Sequence, residues 1–292
     1  MNLEKLMELA LTLPDAVKQN AVDLVTRMGE TIEGIGDTPV GWRAGTLKLI
    51  QAMSDRSKLP KGANIGDFLL GETVISQPHP VYVLRSWNAR QYWSPDQNEA
   101  KMLCSSPDDK LGYIGLNCKE CPHSKYDEET KKTECNKIKV FMVISADLSN
   151  IFMINFAKTS YKSGGDWEMM MKKAGVAPYR RVYGLKSEGS KTYKNVETLA
   201  IETFEGDKRD TPEAYLPFLV ELFTQVGADR KAGIDEFHKI VLSRKQDPAL
   251  LASTSGADSE MVLIGNDTKE LPVSEGTDVP AGKTSLAKKY AV

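Results

Sequence analysis

The sequence has little from which to build a covalent framework or a catalytic centre. Of its 292 residues only four are cysteine and three are histidine. No stretch approaches the roughly 18 consecutive apolar residues that a membrane-spanning helix needs, so no span is expected. Charge of one sign is not in excess either: 38 Lys and Arg against 40 Asp and Glu leave a formal net charge of -2. That balance excludes a uniformly basic nucleic-acid binder. The histidines (His79, His123, His238) are scattered, and no Ser/His/Asp constellation assembles from them. No spaced carboxylate set suggests a two-metal nuclease. The AGKTS string near the C-terminus resembles the end of a phosphate-binding loop, but Thr277 stands where its first glycine belongs and no strand precedes it. The expectation is a protein that is not an enzyme.

What is present is the composition of an ordinary globular chain, 41% hydrophobic and 27% charged, long enough for one large domain with appendages or two small ones. The first residues, MNLEKLMELALTLPDAVKQN, show apolar residues at helical spacing and no secretory signal, so a soluble, cytoplasmic protein is expected. Charge is distributed unevenly. Residues 101–194 hold 17 Lys and Arg against 11 Asp and Glu, a local +6, so the remainder sums to -8. A basic middle between acidic ends points to an anionic partner.

All four cysteines fall in CSSPDDKLGYIGLNCKECPHSKYDEETKKTEC, Cys104 to Cys135, with Cys118 and Cys121 as a C-x-x-C pair. A disulfide framework needs an oxidising compartment, which nothing here implies. A thioredoxin-type pair needs C-x-x-C at the head of a helix, whereas a charged loop follows. The expected reading is a structural zinc held by Cys104, Cys118, Cys121 and Cys135, with free thiols and redox chemistry as the alternatives. Four thiolates close the coordination shell, so such a metal organises a loop and does not catalyse.

Strand signals flank this segment. PVYVLRSW precedes it, IKVFMVISA and NIFMINFA follow, and TLKLIQ lies upstream. TSYKSGGDWEMMMKKAG reads as a helix interrupted by Gly164 and Gly165, followed by the strands RRVYGLKS and TYKNVETLAIETF. This order fits an α+β chain with a small antiparallel OB-like barrel carrying a zinc-binding insertion; a sandwich gives the same string. The expected organisation is an N-terminal helical segment (1–33) and an OB-like core (34–210) with insertion 104–135. C-terminal helices (211–246), split near Gly227, and a flexible tail (247–292) ending in a docking peptide complete it.

Cations and aromatics interleave in RSWNARQYW (Arg85, Trp87, Arg90, Tyr92, Trp93) and in YRRVYGLKSEGSKTYK (Tyr179, Arg180, Arg181, Tyr183, Lys186, Lys191, Tyr193). Single-stranded nucleic acid needs both: cations follow phosphates, and rings stack on bases for roughly 1–3 kcal/mol each. Strand alternation puts Arg85 with Trp87, and Arg181 with Tyr183, on one face. The competing reading makes Trp87 and Tyr183 core residues.

The run from PVYVLRSW through ARQYW, MLCSSPDDKLGYIGLNCKECPHS, ECNKIKVFMVIS and KTSYKSGGDWEMMM resembles a family of phage-encoded single-stranded DNA-binding replication proteins. The resemblance covers residues 41–204 and implies an OB-like fold and sequence-independent DNA binding in replication and recombination. It makes Cys104, Cys118, Cys121 and Cys135 the zinc ligands and Tyr92 and Trp93 an aromatic pair. The charged loop after C-x-x-C-P is longer than the family's turn. The ending SLAKKYAV is similar to that of single-stranded DNA-binding proteins of lytic phages with a giant virion RNA polymerase. This likeness implies that Lys288, Lys289 and Tyr290 engage replication, recombination or RNA polymerase proteins, and a role in transcription activation. The alternative from another class is a zinc-stabilised module that binds a polymerase or host factor.

Overall fold

The computed structural model describes residues 1–29, 44–51, 54, 57, 59–94, 101–129, 132–193 and 196–246. The tail 247–292, with the expected docking residues Lys288, Lys289 and Tyr290, lies outside the described residues, as do the side chains of Lys191 and Tyr193.

The sheet is built on two long strands. β4 (His79–Trp93) and β6 (Cys135–Ser145) pair antiparallel along most of their length. Around them come β1 (Gly45–Leu49), β2 (Phe68–Leu70), β3 (Thr73–Ile75), β5 (Met102–Ser106), β7 (Ile151–Ala157), β8 (Arg181–Tyr193) and β9 (Val196–Asp210). The order is β3-β2-β1-β7-β6-β4-β8-β9, with β5 also on β4, and every pairing is antiparallel except β1 with β7. The sheet is open and curled like half a barrel, and β1 comes round to touch β9. The free edge of β4 is shared. Its start pairs with β8 through His79–Val81, and its end pairs with β5 through Arg90–Trp93.

Apolar residues on successive strand positions point to opposite faces, so β4, β6 and β7 feed two cores. On one face Val83, Phe141, Phe152, Phe156, Trp167 and Tyr183 form a packed aromatic core closed by α3 (Tyr161–Ala174). On the other, Tyr82, Leu84, Met142 and Ile144 meet α1 (Leu3–Leu11), α2 (Asp15–Gly29) and α4 (Leu216–Gln246). None of the described helices is long and apolar enough to cross a membrane.

Three expectations are corrected. α4 is one helix of 31 residues, not two split near Gly227. That glycine is a place of close approach: a Cβ there would fall on the Arg85 guanidinium. α3 likewise runs unbroken through Gly164 and Gly165, and Gly164 is again a place of close approach, where a Cβ would stand 2.8 Å from Phe156. TYKNVETLAIETF is not one strand: Thr192 and Tyr193 end β8, and β9 begins at Val196. β2, β3 and β5 had no expectation. Two of them are three residues long, too short for alternation to register.

Candidate functional site

The cysteine segment leaves β5 and returns in β6, on either side of the end of β4. Tyr92 stands opposite Cys104 on one neighbour and Cys135 on the other. Opposed residues share a face, so both thiols flank the Tyr92 ring on one side of the sheet. The loop brings the C-x-x-C pair to the same place. The Asn117 carboxamide accepts from Lys119 N at 3.0 Å, and its main-chain carbonyl accepts from Cys121 N at 2.9 Å, which turns the chain tightly. The Ser124 hydroxyl donates to the carbonyls of both Cys118 and Cys121. All four cysteines are buried free thiols lining one cavity with Gly112, Arg90 and His123. A Cβ at Gly112 would stand 2.9 Å from Cys104 Sγ. His123 stacks on Tyr92 with centroids 4.4 Å apart and pairs with Glu134.

Burial pushes the Cys104 and Cys118 thiols up and takes Cys135 up to about 11. Arg90 opposes this at Cys118 and Cys135, and the main-chain N–H groups of Ile114 and Tyr113 oppose it at Cys104. Among the described residues, no three of His, Cys, Asp and Glu are grouped so that they could hold an ion as they stand. The sulfurs share a cavity wall without forming a finished cage.

Arg90 belongs to this cavity. It is 6% exposed and bound to Asp109, so it is not displayed to solvent. Asp109 holds a left-handed backbone, φ 61°, which aspartate tolerates better than most residues. The turn around it is an anchor: Pro107 carbonyl accepts from Arg230 at 3.2 Å, and Asp108 pairs with His238 at 3.2 Å. Both partners lie on α4.

The rest of the expected β4 set faces that helix. Arg85 and Trp87 do share one face, but α4 covers it. The Arg85 guanidinium donates to the Phe223 carbonyl at 2.9 and 3.2 Å and lies 3.5 Å from the centroid of the Phe223 ring. Tyr179 packs edge-on against the same ring at 5.0 Å. Arg230 covers Trp87, its guanidinium carbon 4.5 Å from the ring centroid. Burial depresses the Arg230 guanidinium; Asp108 opposes this and the neighbouring Arg85 adds to it. Between α4 and the sheet lies a cavity lined by Trp87, Arg90, Met153, Asn155, Arg230 and Ile234.

The second expected cluster is dispersed. Tyr183 is wholly buried, its ring 5.8 Å from Trp167, and offers no face to a base. Between Arg181 and Tyr183 the register with β9 shifts, two steps on β8 standing against the five from Glu205 to Asp210. Arg180 is exposed, and Lys186 pairs with Glu188 at 3.7 Å. Lys191 and Tyr193 end β8, and Trp93 stays half-buried beside Gln91. Phe223, Arg230 and His238 had no place among the expected site residues. Their only sequence signal was helical spacing, which does not say what a helix covers.

These features define an α+β protein with a curled open sheet, a helix-covered cation–aromatic face and a buried four-thiol cavity. Comparisons with protein-family models, curated proteins and solved structures found no match.

Proposed function

We propose that the chain is a sequence-independent single-stranded DNA-binding protein with an OB-like sheet, of the phage replication type that its sequence resembles. The observation that carries this reading is the meeting of cations and rings between β4 and α4: Arg230 of the helix lies on Trp87 of the strand at a cavity they both line, and Arg85, on the same face of β4 as Trp87, lies on Phe223, with Tyr179 against that ring. Guanidinium groups and aromatic faces in alternation suit phosphates and unstacked bases together. Binding through these groups reads no base edges, so it is sequence-tolerant.

Zinc is part of the same proposal. Four buried thiols on one cavity wall, with space kept by Gly112, suit a soft divalent ion. Cys104, Cys118, Cys121 and Cys135 would hold it once deprotonated. A zinc ion would supply a crosslink between β5, the C-x-x-C turn and β6, and no reaction. The role of Lys288, Lys289 and Tyr290 in recruiting replication, recombination or RNA polymerase proteins stays with this proposal.

A second reading has its own support. Arg85, Arg90 and Tyr183 are occupied by internal packing, while Ile240 and Leu242 of α4 are 42% and 51% exposed. That balance favours a zinc-stabilised module that binds another protein.

The test is a titration of labelled oligothymidylate with the full chain at two salt concentrations, followed by anisotropy, with duplex of equal length as control. The DNA reading expects single-strand binding that weakens with salt and little duplex binding. No binding at low salt overturns it in favour of the interaction module.

A further inference from the structure

α4 is held very differently along its two halves. Its first half is seated by Leu216, Phe218, Leu219, Leu222 and Val226, all buried. Beyond Val226, Val241 is the single fully buried side chain among those described. The second half is fastened mainly by polar contacts to one turn, Arg230 to Pro107 and His238 to Asp108, and by Arg230 on Trp87. Glycines at 227 and 233 flank the turn that carries Arg230. Each weakens a helix interior by about 1 kcal/mol relative to alanine. Few buried apolar contacts and weak local propensity make this half the part of α4 that opens first.

Beneath it lies the cavity already described, about 60 Å³, with Trp87, Arg90, Asn155 and Arg230 in its lining. That is room for a few waters only, so a flat group of larger size enters only as Arg230 leaves the ring and α4 yields. Its charge is unbalanced. Asp109 pairs with Arg90 and Asp108 acts on Arg230 from beyond ion-pair reach, while among the described residues Arg85 has the Phe223 carbonyl and ring and no carboxylate partner. A flat indole under Arg230, with Arg85 two residues along the same face of β4, matches a nucleobase with its phosphate. A guanidinium already lies on the indole, which is the place a base would take.

We propose that one base of a single strand stacks on Trp87 in this cavity by displacing Arg230 from the ring, with the second half of α4 yielding as it enters. The inference rests on the single-stranded DNA reading and deepens it. Trp87 is the stacking platform, Arg85 is a fixed cation behind it, and Arg230 is an internal stand-in for the base. DNA binding and the seating of α4 on the Pro107–Asp109 turn therefore oppose each other.

The experiment uses the full chain and oligothymidylate, with anisotropy for affinity and tryptophan emission for stacking, in wild type, Trp87→Phe, Trp87→Ala, Arg230→Ala and His238→Gln. Wild-type emission is expected to be quenched on binding, with most of the quench lost in Trp87→Phe while affinity is nearly kept. Trp87→Ala should bind about tenfold more weakly. Arg230→Ala should bind about three- to tenfold more tightly with an unchanged salt slope, because a competitor has gone and no phosphate contact with it. His238→Gln should tighten binding in the same direction by a smaller factor. If Arg230→Ala binds more weakly and its salt slope shrinks by about one, Arg230 is a phosphate ligand and the displacement is wrong. An intact quench in Trp87→Phe also overturns the proposal while leaving DNA binding standing. Absence of binding by the wild type removes the DNA reading itself.

Discussion

Arg85 of β4 and Gly227 of α4 are in direct contact, the guanidinium occupying the space that any larger residue at 227 would fill. The contact places two hydrogen bonds from Arg85 on the Phe223 carbonyl, one turn earlier in the same helix. A charged side chain thereby docks a helix on a sheet, and the glycine that weakens the helix locally is what lets it sit there.

Gly227→Ala is accordingly expected to destabilise the fold by about 1–3 kcal/mol, the usual cost of overpacking, although alanine is the better helix former. Urea denaturation would measure it, with Arg85→Ala added to Gly227→Ala recovering part of the loss. A midpoint raised by Gly227→Ala would show that helix propensity outweighs the contact.

Metal analysis of the purified chain should find about one zinc per molecule. Cys118→Ser or prolonged chelation should lower the thermal midpoint and expose the loop to protease, because the metal's binding energy is folding energy. A chain free of zinc and equally stable would return the cysteines to the status of buried thiols.

Arg90 and Asp109 form a pair with side chains 7% and 23% exposed, shielded enough that loss of one partner strands the other. Asp109→Asn keeps a residue that tolerates the left-handed backbone and removes only the charge. About 3 kcal/mol should be lost, the low end for breaking a buried pair. Arg90→Met combined with Asp109→Asn should lose less than the sum of the single changes, as a double-mutant cycle would report.

His79 Nε2 lies 3.1 Å from the Ser145 hydroxyl beside Phe152. Burial holds its pKa below the ordinary value, with Asp147 opposing. The unfolded chain therefore takes up this proton more readily than the folded one. The stability that depends on neutral His79 is complete above about pH 6.5 and is lost as pH falls below it. Thermal midpoints of wild type and His79→Gln between pH 5 and 7.5 should converge at the acid end. Parallel curves would show that His79 does not contribute.

The strands beside the cysteine segment were legible because Val, Ile, Phe and Tyr at period two are a local signal, and IKVFMVISA and NIFMINFA became β6 and β7 nearly as read. The helical N-terminus was legible from apolar residues at helical spacing, and Arg85 with Trp87 on one face from strand alternation. The cysteines announced a shared location through the C-x-x-C spacing, and their convergence on one cavity follows that pattern.

What the sequence by itself determined was local: which segments are helix or strand, which side chains share a face, and that the four thiols fall in one short segment. Tertiary structure alone decided what each face meets. It turned Tyr183 inward, enclosed Arg90 with Asp109, and laid α4 unbroken over Arg85 and Trp87. The physical reason is that periodicity is set by the backbone within a few residues. What covers a face depends on partners far along the chain, as Phe223 and Arg230 are more than a hundred residues from β4.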